Sequence, residues 1–332
     1  MRALTQACHK MSMSVIKRVM KTLLPVLIGF AIAVAAPLQA QRGGRIPPDL
    51  QGVWTNGTVT TLERPPDFAD KSHFTLEEAA EFERTFPERV LKRFGAAAVL
   101  QTDFTDVYLD RNEMKVLPDR RTSLIIDPPD GRLPPALPAA AARAAARPAG
   151  NAHPEEFPLG ERCLVHTQLG ASTASPPLIP IFFGGMNYFQ IVQTDDSVVI
   201  VSELVHDARI VRMNGQHAPA SIRRWLGDSV GRWEGSTLVV DTTNFRAETR
   251  NQGSGERLHV VERFTKVDAR TINYRVTVDD PDTWARSWTA EMPFRNANAR
   301  MLEYACHEAN YSLGGSLRGA RAEEQRQKEE TK

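Results

Sequence analysis

The sequence predicts a mainly β protein, built as an antiparallel up-and-down barrel or closed meander of about 8–10 strands. Three observations predict this fold. Short strand-like runs follow one another from residue 187, and connections of hairpin length join them. Residues 271–278 alternate between apolar and polar, as a half-buried antiparallel strand does. No helical segment after residue 190 is available as the crossover that a parallel sheet needs.

The segment over residues 41–150 is predicted to carry the first strand and a short helical and Pro/Ala-rich insert. Residues 50–55 contain Gly-Val-Trp between turn residues and begin the sheet. The capping box Thr75-Leu76-Glu77-Glu78 opens a helix that extends to about Phe86, where Pro87 should end it. Residues 133–150 are low in complexity and are predicted as a linker, either a short helix or a surface excursion.

The body of the barrel is predicted over residues 151–319. Its strands are rich in β-branched and aromatic residues and are bounded by turn signals, of which Asn214-Gly215 is the strongest because both residues tolerate positive φ. A charged tail over residues 320–332 is predicted as a solvated helix end or a disordered segment. The predicted strands cover residues 121–127, 188–193, 198–203, 209–213, 237–242, 259–266, 271–278, 285–292 and 301–306.

The composition excludes several classes of protein. The 332 residues include 41 Lys+Arg and 40 Asp+Glu, which gives a net charge of +1, and 42% of them are hydrophobic. These values are typical of a globular protein and argue against a coiled coil, a collagen-like chain and a wholly disordered chain. Because a nucleic-acid binder needs a basic face, no nucleic-acid partner is expected.

Residues 1–40 have the parts of a secretory signal peptide. Five basic residues and no acidic one accompany an apolar run over residues 23–36, and Leu38-Gln39-Ala40 provides a small-residue cleavage site. The alternative is an uncleaved membrane anchor, but the run is shorter than the ~20 residues that span a bilayer. Cleavage near Ala40 would release a soluble periplasmic or secreted protein without a stable membrane span.

Two cysteines, Cys163 and Cys306, lie beyond the leader. Two thiols in an oxidising compartment often pair, so the sequence favours a disulfide between them. The alternative is a pair of buried free thiols. A cysteine nucleophile is disfavoured, because it would have to stay reduced after export. The disulfide would hold His307 and Glu308 near Arg162.

Several segments resemble a family of exported bacterial proteins of uncharacterised function. The resembling segments are Asp49-Leu50-Gln51-Gly52-Val53-Trp54, Glu203-Leu204-Val205-His206-Asp207-Ala208-Arg209, Arg224-Trp225-Leu226-Gly227-Asp228-Ser229, Gly231-Arg232-Trp233-Glu234-Gly235 and Glu303-Tyr304-Ala305-Cys306-His307-Glu308. This resemblance implies export and brings no established activity. Separately, Gly52-Val53-Trp54 resembles the opening of lipocalin-like barrels, although the chain is longer than a typical lipocalin and carries a long insert.

Two clusters combine histidine with carboxylates, which is the pairing that general acid–base catalysis needs. The first cluster contains Glu203, His206, Asp207 and Arg209, and the second spans residues 306–310. If residues 203–207 are extended, Glu203 and Asp207 lie on one face and His206 lies on the other. The alternative for the first cluster is structural, with an ion pair between Asp207 and Arg209 and a packed His206.

The candidate residues fall into two groups. We predict catalytic roles for His206, His307, Glu308, Arg162 and Asp207, and ligand-binding roles for Glu203, Arg209, Tyr188, Trp288 and Asn310. The aromatic residues are more typical of a core, although barrels of about eight strands or more can hold a small molecule. No close histidine pair of the kind that binds zinc occurs, and no nucleotide fingerprint occurs, so neither a metal nor a cofactor is predicted.

Three functions remain open at this point. The first is an exported β-barrel that binds a small apolar or amphipathic molecule, aromatic ones included. The second is a cofactor-free lyase, hydratase or isomerase, in which His206 or His307 moves a proton and Arg162 or Arg209 stabilises negative charge. The third is a structural module of the cell envelope, which a solidly packed barrel would favour. Convergence of the histidines and Arg162 in one concave site would favour the enzyme.

Overall fold

Nine strands close into a barrel and a tenth strand extends it, which confirms the predicted mainly β fold. The computed structural model describes residues 47–94, 114–145, 153–157, 159–160, 162–165, 174–180, 187–249, 254–308 and 310–330. The strands are β1 (Gly52–Thr55), β2 (Ile125–Asp127), β3 (Tyr188–Gln193), β4 (Ser197–Ser202), β5 (Ala208–Met213), β6 (Asp228–Glu234), β7 (Thr237–Thr243), β8 (His259–Lys266), β9 (Thr271–Asp279) and β10 (Trp288–Asn296).

The barrel closes where the first and last strands meet. Strands β3 to β10 follow one another around the wall in chain order, β1 pairs with β3, and β1 pairs again with β10. Residues Trp54 and Thr55 of β1 face Asn296 and Arg295 of β10. The short strand β2 pairs with the other end of β10, at Thr289 and Ala290. Of the two strands that precede the barrel body in sequence, β1 therefore closes the wall and β2 extends it.

One strand pair departs from the antiparallel pattern. Strands β5 and β6 are parallel, with Val211 opposite Ser229 and Met213 opposite Gly231. The connection over residues 214–227 contains no helix and crosses from the end of β5 to the start of β6. A Cβ on Gly231 would lie 2.7 Å from Val211 Cγ1 and 2.9 Å from Met213 Sδ, so glycine permits this close approach.

The hydrophobic core lies inside the barrel. The predicted alternation along β9 is confirmed, because Ile272, Tyr274, Val276 and Val278 are all fully buried and the residues between them are more exposed. Aromatic side chains from four strands contact one another in the interior, with ring centroids 4.8–6.1 Å apart: Phe189, Phe264, Tyr274 and Phe294. Large side chains therefore fill this part of the interior.

The predicted capping box is confirmed at the start of α1 (Leu76–Arg84). The N–H of Glu78 donates to Thr75 Oγ1 at 3.1 Å, and the N–H of Thr75 donates to Glu78 Oε2 at 2.9 Å. The helix ends at Arg84, and a second helix, α2 (Phe86–Phe94), begins directly after it. Pro87 lies in the first turn of α2, where its missing N–H costs no hydrogen bond. The break is therefore the start of a new helix, which the sequence did not predict.

Some predicted boundaries were wrong. Residues 301–306 form an irregular segment and not a strand, and the strand expected from residue 285 begins at Trp288. The strand expected from residue 121 is confined to β2, and β6 was not predicted as a strand.

Two further helices lie in segments that the sequence singled out. The Pro/Ala-rich segment contains α3 (Pro138–Ala145). The charged tail belongs to α4 (Tyr311–Glu330), which buries no residue and so is a solvated helix. Among the described residues, no helix combines the length and the apolar character needed to cross a membrane. The predicted signal peptide over residues 1–40 lies outside the described residues.

Candidate functional site

The loop between β4 and β5 has a strained backbone. Residues Leu204–His206 form a single 3-10 turn, in which Val205 has φ 63° and His206 has φ 49°. Positive φ is unfavourable for a β-branched residue, and such strain concentrates at functional sites. Because the loop is not extended, the expected alternation of Glu203 and Asp207 against His206 does not apply to it. We call Glu203, His206 and Asp207 the loop cluster.

The segment over residues 302–308 contacts this loop through Leu302 and Tyr304. The N–H of Leu302 donates to Glu203 Oε2 at 2.8 Å, and His206 Nδ1 lies 3.0 Å from the carbonyl oxygen of Tyr304. Since a carbonyl only accepts, Nδ1 carries the proton, and Nε2 is left as the basic nitrogen when the ring is neutral. The contacts thus orient the imidazole of the loop cluster.

The predicted disulfide is present and connects the same segment to the rest of the chain. Cys163 and Cys306 are bonded, with their Cα atoms 5.7 Å apart. The amide Nδ2 of Asn310 donates to Cys163 Sγ at 3.5 Å. The disulfide places Arg162 beside the turn that contains His307 and Glu308. Within the described part of the chain, no hydrogen bond or ion pair joins these three residues to His206.

Burial changes the acidity of both carboxyl groups in the loop cluster. Burial raises the pKa of Asp207 to about 7, and the charge of His206 opposes the shift only in part. Asp207 Oδ2 is buried and has no hydrogen-bond partner among the described residues. Burial also raises the pKa of Glu203, against the effect of the Leu302 N–H. A carboxyl that changes protonation near neutral pH can act as a general acid or base.

Arg209 points into the barrel and does not pair with Asp207, so the expected ion pair between them is absent from the described residues. Its guanidinium forms a bidentate ion pair with Glu262 of β8, in which Nη1 donates to Oε2 at 2.5 Å and Nη2 donates to Oε1 at 2.9 Å. Tyr274 donates to the same carboxylate at 2.9 Å and accepts the N–H of Leu178 at 2.9 Å. Arg209 Nε is buried and has no partner among the described residues.

The two predicted aromatic residues lie in different places. Tyr188 is half-buried at the start of β3, and its carbonyl accepts the N–H of Glu203 at 3.0 Å, which places it beside the loop cluster. Trp288 is fully buried at the start of β10, where its ring meets Trp284 edge-on with centroids 5.8 Å apart. No described contact joins Trp288 to the loop cluster, so the structure brings Tyr188 to the candidate site and leaves Trp288 in the core.

A second group of titratable residues, which the sequence did not suggest, lies on the barrel wall. His217 Nδ1 is 3.2 Å from Asp228 Oδ2, and its Nε2 is 3.0 Å from Asp241 Oδ1. His259 Nε2 is also 3.0 Å from Asp241 Oδ1. These four residues, called the wall cluster, come from β6, β7, β8 and the crossover. The strand register and the path of the crossover bring them together, and their spacing in the sequence carries no signal.

Every carboxylate of the wall cluster is well supplied with donors. Burial alone would raise the pKa of Asp228, but the N–H of Ala218, the ring of His217 and two arginines, Arg212 and Arg224, together lower it.

Asp241 and His259 of the wall cluster share one hydrogen bond, which shifts the pKa of both groups. That hydrogen bond, between His259 and Asp241, lowers the pKa of the carboxyl and raises the pKa of the imidazole. These shifts favour the charged forms of Asp228, Asp241 and His259, as a structural ion network does.

A metal site does not emerge from either cluster. Among the described residues, no group of three or more His, Cys, Asp or Glu side chains is arranged to hold a metal ion. No protein-family model matches the chain, and no curated protein is significantly similar to it. The geometry of the described residues therefore carries the functional argument.

Proposed function

We propose that the chain is an exported β-barrel enzyme that moves a proton on a small amphipathic molecule without a cofactor, as a lyase or isomerase does. A single observation carries the proposal. The carboxyl of Asp207 has a pKa of about 7, and its Oδ2 is buried without a hydrogen-bond partner among the described residues. Burying such a group unsatisfied is unfavourable for folding, and functional sites are where such groups concentrate.

The neighbouring groups support proton transfer at this loop. Asp207, once ionised, accepts a proton as general base, and the basic Nε2 of His206 is available for the second proton transfer. The contact of His206 Nδ1 with the carbonyl oxygen of Tyr304 orients the imidazole beside Asp207. Arg162, His307, Glu308 and Asn310 stay candidates for contacts with the bound molecule, because the disulfide keeps them on the segment beside the loop.

A general-base probe tests this function without knowledge of the natural substrate. Nitrobenzisoxazole opens to a coloured phenolate when a base removes its ring proton, and the reaction is fastest with a base in an apolar environment. We expect the protein to accelerate this reaction, with a rate that rises with pH through about 7 as Asp207 ionises.

The control variants decide the assignment of the base. Asp207→Asn should lower the rate about 100-fold. Asp195→Asn, which changes an exposed carboxyl in the β3–β4 turn, should leave the rate unchanged. A rate that survives Asp207→Asn would refute the assignment.

A binding function without turnover is the second candidate, because an unpartnered carboxyl would serve a bound ligand equally well. Calorimetric binding of the probe with no product would favour it. If the probe is neither bound nor turned over, the structural module is favoured. The close ring contacts in the barrel interior would suit such a module.

Export is proposed on separate grounds. A disulfide fits an oxidising compartment, and the leader has the parts of a signal peptide. Sequencing the amino terminus of the protein recovered from the periplasm or medium should find Gln41 first. An intact leader would contradict cleavage at Ala40.

A further inference from the structure

The inner face of β5 carries a second unpartnered polar group close to Asp207. Asp207 is extended, with φ −62° and ψ 135°, and leads directly into β5. Side chains two residues apart on an extended chain point to the same side. Arg209 and Val211 are buried inside the barrel, whereas Ile210 between them is exposed. Asp207 and Arg209 therefore face the same way, with Cα atoms about 6.6 Å apart.

Both groups lack a partner at one atom. Arg209 is only 2% exposed, and its two terminal nitrogens are used by Glu262, which leaves the Nε–H without an acceptor among the described residues. Asp207 Oδ2 is likewise buried without a hydrogen-bond partner among the described residues. Buried donors in native proteins nearly always find an acceptor, so the Nε–H of Arg209 is suited to donate to an oxygen atom of a bound molecule.

The surroundings define the chemistry of that oxygen. The charge of Arg209 is balanced by Glu262, which accepts a further hydrogen bond from Tyr274 and is itself completely buried. A carboxylate ligand at Nε would face the negative charge of Glu262, whereas a neutral carbonyl oxygen would not. Ile200, which lies opposite Arg209 on β4, and Val211 make the local wall apolar.

We propose that this face of β5 is a site for a small neutral carbonyl compound, whose oxygen accepts the Nε–H of Arg209 while Asp207 takes a proton from the carbon beside the carbonyl. The inference rests on the proposed function and names its substrate class. The C–H bond breaks and its proton moves to the carboxylate of Asp207. The electron pair forms a C=C bond, and the carbonyl oxygen gains the negative charge that the Nε–H stabilises. Return of the proton to the opposite face of that carbon, or to another carbon of a conjugated enolate, completes an isomerisation with no redox change.

Deuterium exchange tests the proposal directly. β-Tetralone is a neutral apolar ketone with acidic protons beside its carbonyl, and proton NMR in heavy water follows their loss. We expect the protein to accelerate exchange, and Asp207→Asn to lower the rate about 100-fold. Arg209→Lys keeps a cation for Glu262 but removes the Nε–H, and should also lower the rate about 100-fold. Asp195→Asn should match the unmodified protein.

A second measurement covers the case in which Arg209→Lys fails to fold. The Nε–Hε NMR resonance of Arg209 in the unmodified protein should shift when β-tetralone is added, and should not shift with benzoate. An unmoved resonance would mean that only solvent occupies this donor, and would overturn the proposal.

The two proposals fail in different ways. If nitrobenzisoxazole is turned over by Asp207 but β-tetralone is neither bound nor exchanged, Asp207 is supported as the base and the carbonyl site is refuted. If neither probe depends on Asp207, the proposed function itself falls.

Discussion

The loop cluster and the wall cluster are built from the same residue types and behave in opposite ways. In the wall cluster, Asp228 is 1% exposed and accepts hydrogen bonds from a backbone N–H, a histidine and arginine, so its pKa is lowered. In the loop cluster, Asp207 Oδ2 is buried and has no partner among the described residues, and burial raises the pKa of this half-buried carboxyl to about 7.

This difference shows that hydrogen-bond partners, and not residue identity, decide whether the pKa of a carboxyl is raised or lowered. A carboxylate that receives several donors is held in its charged form and is a poor base. A carboxyl that is buried without donors titrates near neutral pH and can exchange a proton with a ligand. The four predictions below test this contrast, from the largest effect to the smallest.

Removal of the disulfide should change the loop cluster and spare the wall cluster. The bond closes a loop of 143 residues, so Cys163→Ser with Cys306→Ser should lower the free energy of unfolding by up to about 5 kcal/mol. Release of residues 302–310 should let water reach Glu203 and Asp207, and both carboxyl pKa values should fall. Carboxyl-carbon NMR titration measures this. Equal pKa shifts at Asp228 and Asp241 would contradict the expectation that only the loop cluster changes.

Removal of the wall carboxylate should be strongly destabilising. Asp228→Ala deprives Arg212, Arg224, His217 and the Ala218 N–H of their acceptor. Because both arginines can still reach water, we expect a loss of about 2–3 kcal/mol in urea unfolding. Asp195→Ala, at an exposed turn, is the control and should change stability by less than about 0.5 kcal/mol.

Removal of the carboxyl of Asp207 should raise the free energy of unfolding, whereas removal of the carboxyl of Asp228 should lower it. The raised pKa of Asp207 means that the folded state holds its proton more tightly than the unfolded state between about pH 4 and pH 7. Stability therefore falls as the pH rises through this window. A rise in pKa from 3.8 to about 7 is equivalent to about 4 kcal/mol at pH 8. Asp207→Asn cannot ionise, but Asp207 is only half-buried and the amide is still polar, so we expect the variant to be more stable at pH 8 by about 1–2 kcal/mol. Urea unfolding at pH 5 should show a smaller difference, and a destabilised variant at pH 8 would contradict the expectation.

The smallest effect is expected at His259. Its raised pKa, caused chiefly by the hydrogen bond to Asp241, adds stability that is present below its ordinary pKa and is lost as the pH rises through the higher folded value. Because the side chain is 42% exposed, the gain is about 0.5 kcal/mol. His259→Gln should remove this pH dependence in thermal unfolding. Imidazole NMR of the unmodified protein should find a pKa above the ordinary value.

Much of the barrel was predictable because its signals are local. Alternation along β9 and the capping box of α1 depend only on neighbouring residues, and both are confirmed. The errors lie where distant contacts decide the conformation. Residues 301–306 have strand-like composition, but they bond to the loop at residues 203–206 and form no ladder. The parallel pairing of β5 with β6 depends on a crossover whose path no local pattern specifies.

The candidate site was predictable in part. Glu203, His206 and Asp207 stand out as a run of titratable residues, and the two cysteines indicated that residues near 163 and 306 would meet. The partner of Arg209 was not predictable, since Glu262 lies 53 residues away and reaches it only across the barrel interior. The wall cluster was missed for the same reason.

From the sequence it was possible to predict a barrel or closed meander, to favour a disulfide between the two later cysteines and to see that Asp207 follows a histidine. It took the folded chain to show that Asp207 receives no donor from the described residues while Asp228 receives several. The physical reason is that strand periodicity and turn propensity act between neighbouring residues, whereas the burial and hydrogen bonding of a carboxyl depend on groups brought together across the closed sheet.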